Sequence, residues 1–304
     1  FQLSNGSGGL AGVLPVSGGK QSIVTVYGNN RQLTLAITSA RLVPPDTGKT
    51  GTALVLRDIS NEEAIHRLLG NFLANITHEF RTPLSALAAS TELLLEQLPT
   101  LSQAELKELL NSLRLGILNL QILIDNLLEG ASIEAGRFRV FPRQTDLSAV
   151  VQEIVHTVHP LLEKYGQRLS INIPDQLPSI WADPRRTGQV LVNLFSNAIK
   201  MGPAGSEITL SVVVGEQAVK VCVGDQGPGI PAEMRQDIFS RFAHESLSDN
   251  RAEHGAGLGL SVVKAIVEAQ EGQVGVRDGP QGGAIFWFTA PIARETSVQE
   301  GQRS

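Results

Sequence analysis

From residue 61 to residue 134 the apolar side chains keep a helical period, broken only at 98–102 (LPTLS), and this run limits what the chain can fold into. The first segment carries Ile65, Leu69, Phe72, Ile76, Leu84, Leu87, Leu94 and Leu98, and the second Leu106, Leu110, Leu113, Ile117, Leu120, Ile124 and Leu127. The break contains a proline, and Ser102 with Glu105 three residues later has the pattern of a capping box opening the second helix. Two long amphipathic helices joined by a short turn form an antiparallel hairpin, which alone leaves apolar faces uncovered. No comparable third helix follows nearby, so pairing of two copies into a four-helix bundle is expected in preference to a bundle within one chain.

Within the first helix lies FLANITHEFRTPLS, residues 72–85. Ile65, Leu69, Phe72 and Ile76 recur at the four-then-three spacing of a helix–helix seam, which puts His78 off that seam and toward solvent. Pro83 cannot donate its backbone N–H and crowds the carbonyl of Glu79, so a bend beside the histidine is expected. A His–Glu step on a helix is in itself more often structural than catalytic. An exposed imidazole next to a local distortion is, however, open to a reactant.

At 304 residues the chain has room for about two domains of ordinary size. Its 25 Lys and Arg against 30 Asp and Glu, without a basic block, argue against a nucleic-acid grip. The one cysteine, Cys222, lies in the strand-like run VKVCVG and reads as core; it leaves no internal disulfide and no cysteine-based metal site. No apolar run approaches the roughly 18 residues that span a bilayer, and no signal-peptide pattern opens the chain. Because it opens on Phe1 in mid-pattern, a cytoplasmic fragment of a longer protein is expected, with any membrane anchor in segments outside it.

Three regions follow: a β-rich segment over 1–59, the helical hairpin over 60–136, and an α/β region over 137–304. The first has strand-like runs at 22–27, 32–37 and 53–56, separated by turn signals at 28–30 and 44–46, and is too small for much of a core of its own. In the third, a linker-like stretch at 136–146 leads to a helix over 147–164, a strand over 168–173 and a helix over 183–200. Asp183 is placed to cap that last helix, with Pro184 at its first position. Paired strands over 208–214 and 218–223 come next, then a helix over 258–270 and a strand over 283–289.

Three clusters in this region bear chemistry. Asn193, Asn197 and Lys200 share one helix face, where an amide oxygen can ligate Mg²⁺ and a lysine can meet a phosphate; a solvated face is the plain alternative. Asp225-Gln-Gly227-Pro-Gly229 follows a strand, so its carboxylate could accept from an exocyclic amine while the glycines leave space for a ring, although Asp, Gly and Pro also make an ordinary turn. Gly255, Gly257, Gly259 and Leu260 open a helix whose first backbone N–H groups suit an anion. Their spacing is neither the dinucleotide fingerprint nor a Walker A loop.

Taken in order, HEFRTP at 78–83, NLFSNAIK at 193–200, DQGPG at 225–229, IFSRF at 238–242 and GAGLGLS at 255–261 resemble the sensor histidine kinases of two-component systems. The match runs from about residue 61 to 291, and VLRDISNEEA before it resembles the exit of a PAS domain. The resemblance implies a multidomain chain: an α-helical hairpin forming a dimeric four-helix bundle, then an α/β sandwich that binds ATP, preceded by a small β-rich, PAS-like remnant. It implies a homodimer that autophosphorylates a histidine from ATP with Mg²⁺, passes the phosphoryl group to a response-regulator aspartate, and can dephosphorylate that regulator.

Position by position, His78 matches the phosphoacceptor, Glu79 the acidic neighbour that acts as base or orients the ring, and Thr82 the residue that positions water for dephosphorylation. Asn197 matches the Mg²⁺ ligand, Asn193 and Lys200 the phosphate-side contacts, and Asp225 the adenine-reading aspartate, in a pocket shaped by Gly227 and Gly229. Gly255, Gly257 and Gly259 match the hinge of a mobile lid, with Leu260 beside them, and Phe239 and Phe242 its apolar anchor. His244 and His254 read as lid residues in preference to metal ligands, and His66, His156 and His159 as structural. Met201 stands where an aromatic residue often follows the lysine, and Ala256 replaces a frequent Thr or Ser. A non-catalytic dimeric scaffold has no need of Asn197, Asp225 and the glycines, and an ATPase of the gyrase, Hsp90 and MutL group lacks the upstream hairpin.

Overall fold

The computed structural model describes residues 2–5, 21–28, 31–42, 51–240, 257–280 and 282–294. The chain divides into two compact units, Phe1–Ala74 and Asn75–Ser304.

The first unit is an antiparallel meander of β1 (Gln2–Asn5), β2 (Gln21–Gly28), β3 (Arg31–Leu42) and β4 (Gly51–Asp58), paired in chain order. The three strand-like runs read from sequence lie in β2, β3 and β4. Burial centres on Val24, Ala36 and Ile37, while Ile23, Leu33 and Leu54 stay exposed. Helix α1 (Ser60–Gln97) starts here. The Ser60 hydroxyl donates to Asp58 Oδ1 at 2.6 Å and accepts from the Thr34 backbone N–H at 2.8 Å, tying the helix start to β3.

In the second unit α1 continues and pairs with α2 (Gln103–Glu134). The capping box forms as expected: Ser102 Oγ accepts from the Glu105 N–H, and the Glu105 carboxylate accepts from the Ser102 N–H. Helix α1 runs unbroken through Pro83. The helices come close at Gly116, where a Cβ would stand 2.8 Å from Leu87 Cγ, and the Ser90 and Ser112 hydroxyls meet at 3.2 Å.

The sandwich that follows has a five-stranded sheet in the order β10-β11-β9-β8-β6, from β6 (Arg168–Asn172), β8 (Glu207–Val214), β9 (Ala218–Gly224), β10 (Val274–Asp278) and β11 (Ala284–Pro291). Only β6 and β8 pair in parallel. Helices α3 (Leu147–Lys164), α4 (Pro184–Met201) and α5 (Gly259–Glu268) pack on it around fully buried Leu191, Leu194, Phe195, Ile199, Leu210 and Ile266. Asp183 caps α4 as expected, its Oδ1 accepting from the Arg185 and Arg186 N–H groups, with Pro184 in the first turn. Cys222 is buried, as its apolar run indicated. Two corrections apply to the sequence reading. The stretch read as a linker contains β5 (Arg143–Thr145), which pairs with β7 (Ile180–Ala182), and neither β7 nor β10 was anticipated. No helix among the described residues is long and apolar enough to cross a membrane.

Candidate functional site

Strand β9, the central strand of the sheet, ends at Gly224, and the chain turns at once, so Asp225 stands at the strand's end with the turn passing close to Met201 at the end of α4. Its Oδ1 accepts from the Gly227 N–H at 2.8 Å and the Ala284 N–H at 3.2 Å; Oδ2 accepts from no described residue and is left for a ligand. Burial pushes the carboxyl's pKa up from its ordinary value, against the two backbone N–H groups that draw it down. Backbone passes so close here that only glycine fits. A Cβ at Gly227 would stand 2.7 Å from the Met201 carbonyl oxygen, and Gly229 has φ +76°. Sequence reasoning missed Gly283: its φ is +75° and a Cβ there would lie 2.1 Å from the Asp225 carbonyl oxygen. Its place in the run GPQGG was the available signal.

Asp225, Gly229 and Met201 line a cleft of about 980 Å³. Its other walls bring together Asn193, Asn197 and Lys200 of α4, Gly257 and the α5 start at Gly259 and Leu260, and His78, Glu79 and Thr82 of α1. Residues read as separate clusters thus converge on one space. The Asn197 amide makes no hydrogen bond among the described residues and is open to a ligand. Lys200 Nζ lies 3.4 Å from Glu79 Oε2. His78 is exposed, and Thr82 Oγ1 donates to its carbonyl oxygen at 3.3 Å. Among the described residues no side chain caps α5, so its first N–H groups can meet an anion. Phe239 is buried and meets Phe286 edge-on at 6.3 Å. Phe242, Gly255, Ala256 and the histidines at 244 and 254 lie outside the described residues.

Asn193 is not on a solvated face: it is 3% exposed and its amide pairs with that of Asn126 on α2. His66, His156 and His159, which match no motif, are all exposed, and His159 approaches Glu163 at 3.7 Å. Asn126 itself gave a faint signal, an amide amid the apolar run LIDNLL. Next to it, Glu129 pairs with Arg186 of α4, whose guanidinium lies 5.0 Å from the Phe138 ring centre.

Residues 68–136 match the His Kinase A (phospho-acceptor) domain, and residues 182–294 the histidine kinase-, DNA gyrase B- and HSP90-like ATPase family. The sensory/regulatory protein RpfC of Xanthomonas campestris pv. campestris is 34% identical over 231 residues, 73% of this chain and 31% of that protein. The adaptive-response sensory kinase SasA of a Nostoc species is 33% identical over 228 residues, 72% of this chain and 56% of that protein. Among solved structures, full-length ShkA in complex with AMPPNP is similar at a TM-score of 0.50 and 29% identity, over 73% of this chain and 45% of ShkA. The chain thus spans between about a third and three fifths of the length of the curated relatives it matches. Hairpin and sandwich define a phospho-acceptor helical domain followed by an ATP-binding domain. The chain belongs to the sensor histidine kinases.

Proposed function

We propose that this chain is the kinase portion of a homodimeric two-component sensor, which transfers the γ-phosphoryl group of ATP to His78 and then to an aspartate of a response regulator. The observation that carries the reading is the shared cleft, lined by His78 and Glu79 on one side and by Asn197, Lys200 and Asp225 on the other. In the first step a bond forms between a neutral ring nitrogen of His78 and the γ-phosphorus. The bond from that phosphorus to the β–γ bridging oxygen breaks, and ADP leaves.

The residues fit the nucleotide. Asp225 Oδ2 is open to an adenine amine, Gly229 lines the cleft beside it while Gly227 holds the Asp225 turn against Met201, and Lys200 with the α5 start can meet phosphates. Asn197 would hold Mg²⁺, which supplies charge neutralisation on the polyphosphate. Glu79 orients the imidazole or takes its proton, and Thr82 serves the dephosphorylation of a bound regulator. Gly257, Gly259 and Leu260, with Phe239, form the described part of a lid and its anchor. We assign the sensory remnant to 1–59, the dimerising hairpin to 60–136 and the nucleotide domain to 137–304, in a cytoplasmic setting.

The test is incubation with γ-labelled ATP and Mg²⁺, comparing the chain with His78→Gln. Acid-labile, base-stable label that vanishes in the variant is expected. Label that persists in His78→Gln would move the acceptor elsewhere, and nucleotide binding without any label would favour a non-catalytic scaffold.

A further inference from the structure

Helix α4 ends in a way that its own backbone cannot complete. The Gly202 N–H bonds the Ala198 carbonyl, but the next residue is Pro203, which has no N–H to give to the carbonyl of Ile199. Gly202 has φ −72° and ψ 139°, so the chain also leaves the helix without the left-handed cap whose bonds commonly satisfy the last carbonyls. The missing donor comes from a different part of the chain. Gln167, between α3 and β6, donates from Nε2 to the carbonyls of Ile199 at 3.1 Å, Gly202 at 3.0 Å and Pro203 at 3.2 Å. Three acceptors thus share the two N–H groups of one amide.

That amide is held in place and can face only one way. Gln167 is 7% exposed; its backbone N–H bonds the Leu162 carbonyl at 3.0 Å, and the next N–H, that of Arg168, bonds the Ser206 carbonyl at 2.9 Å. Turned over, the side chain would set its own oxygen against three carbonyl oxygens, so the donor orientation is the one its surroundings accept. The turn is packed closely against it: a Cβ at Gly202 would stand 3.0 Å from Gln167 Nε2 and 2.9 Å from Ser206 Oγ. The Met201 carbonyl, one residue earlier, is where Gly227 of the Asp225 turn comes closest.

Lys200 and Met201 are the two residues between the held carbonyls of Ile199 and Gly202. Lys200 has a flexible stem, 40% exposed, whose amine reaches Glu79 at 3.4 Å, so the place of its root decides where its charge can stand. We propose that Gln167, which does not itself line the cleft, is a positioning residue for phosphoryl transfer: its amide replaces the N–H that Pro203 lacks and fixes the last turn of α4, so that Lys200 stands where the nucleotide's phosphates arrive. This rests on the reading of Lys200 as a phosphate-side group. Without the amide, the carbonyl of Ile199, a residue only 2% exposed, is left unpaired, and the turn relieves that by fraying toward water, which withdraws the lysine.

The test is the rate of His78 labelling from γ-labelled ATP in the whole chain, for the parent, Gln167→Met, Lys200→Ala and the double variant. Each is measured at an ATP concentration that saturates it, set by titration with a fluorescent ATP analogue, so that the rate reports the transfer step and not binding. Methionine has nearly the length of glutamine but no N–H to offer. Gln167→Met should slow labelling by about tenfold to a hundredfold, the effect of a misplaced catalytic group. Added to Lys200→Ala, it should slow labelling by less than about twofold, because the group it positions is already gone. A role in the fold at large would slow both chains by the same factor, and that result overturns the proposal. So does parent-rate labelling by Gln167→Met beside a slow Lys200→Ala. Parent-rate labelling by Lys200→Ala overturns instead the reading of Lys200 beneath it. If Gln167→Met does not fold, Gln167→Asn, which keeps the amide but draws it back by one methylene, takes its place in the same cycle, with the same results for and against.

Discussion

Asp225 has the sharpest conflict between stability and function. Its carboxyl is pushed up in pKa by burial, so the folded chain binds a proton more tightly than the unfolded one. Stability contributed by this site falls as pH rises from the ordinary carboxylate value, 3.8, through the raised one, and the cost is fully present above it. Asp225→Asn keeps an oxygen for the Gly227 and Ala284 N–H groups but carries no charge. The nucleotide-free variant should therefore melt higher than the parent at pH 7, with the gap closing toward pH 4, while binding of the ATP analogue is lost. A variant that melts lower at pH 7 would contradict the assignment of burial as the dominant cause. At Lys200 the two quantities should also separate. Its pairing with Glu79 is partly exposed, 40% and 25% at the two side chains, and such pairs add little. Lys200→Ala should leave unfolding in urea within about 0.5 kcal/mol, yet slow phosphorylation of His78 about a hundredfold, as the loss of one charge-stabilising donor does. Gly283→Ala should do the reverse of a surface change: positive φ and a Cβ placed 2.1 Å from a carbonyl oxygen should cost at least about 2 kcal/mol in the same urea experiment.

At the scale of elements, those that announce their own boundaries were legible. Helix α4 carries its cap and its proline in sequence, and α2 carries a complete capping box, so both starts were placed by local chemistry. That logic yields a test. The Glu105 carboxyl is drawn below its ordinary pKa by the Ser102 hydroxyl and N–H, so this contribution to stability is present at neutral pH and lost as pH falls through the lowered value. Ser102→Ala should lower the melting temperature by roughly 2–4 °C at pH 7, with a smaller difference near pH 3. Elements held by distant partners were not legible. Strands β5 and β7 are three residues each, too short for a period, and exist because each finds the other across the sandwich. Strand β10, VGVRD, has a glycine at Gly275 because the Trp287 ring of β11 covers that position, which no local pattern discloses. The site divides in the same way. His78, Asn197, Lys200 and Asp225, which line the cleft, could be singled out because they sit in ordered short motifs, whereas Asn126 meets a partner 67 positions away.

For the molecule as a whole, the hairpin's uncovered surface is the decisive feature. Leu110, Ile117 and Ile124 are seven residues apart and 52%, 51% and 43% exposed in the single chain. Leu113, Leu120 and Leu127 sit three residues after each, so α2 presents two interleaved heptad rows, the pattern of a helix seam awaiting a facing helix. On α1, Leu84 and Leu95 are likewise 52% and 80% exposed. A sandwich already closed around its own core offers no reason for such a surface, and a second hairpin does. In light scattering after size exclusion the chain should have twice the monomer mass. Ile117→Asp places a charge at the centre of the α2 row, where burial would leave it without a partner. The variant should elute as a monomer and, because the ATP cleft belongs to one chain, should still bind the ATP analogue with near-parent affinity. A parent that remains monomeric at tens of micromolar, or an Ile117→Asp chain that remains a dimer, would place the subunit interface somewhere other than α2.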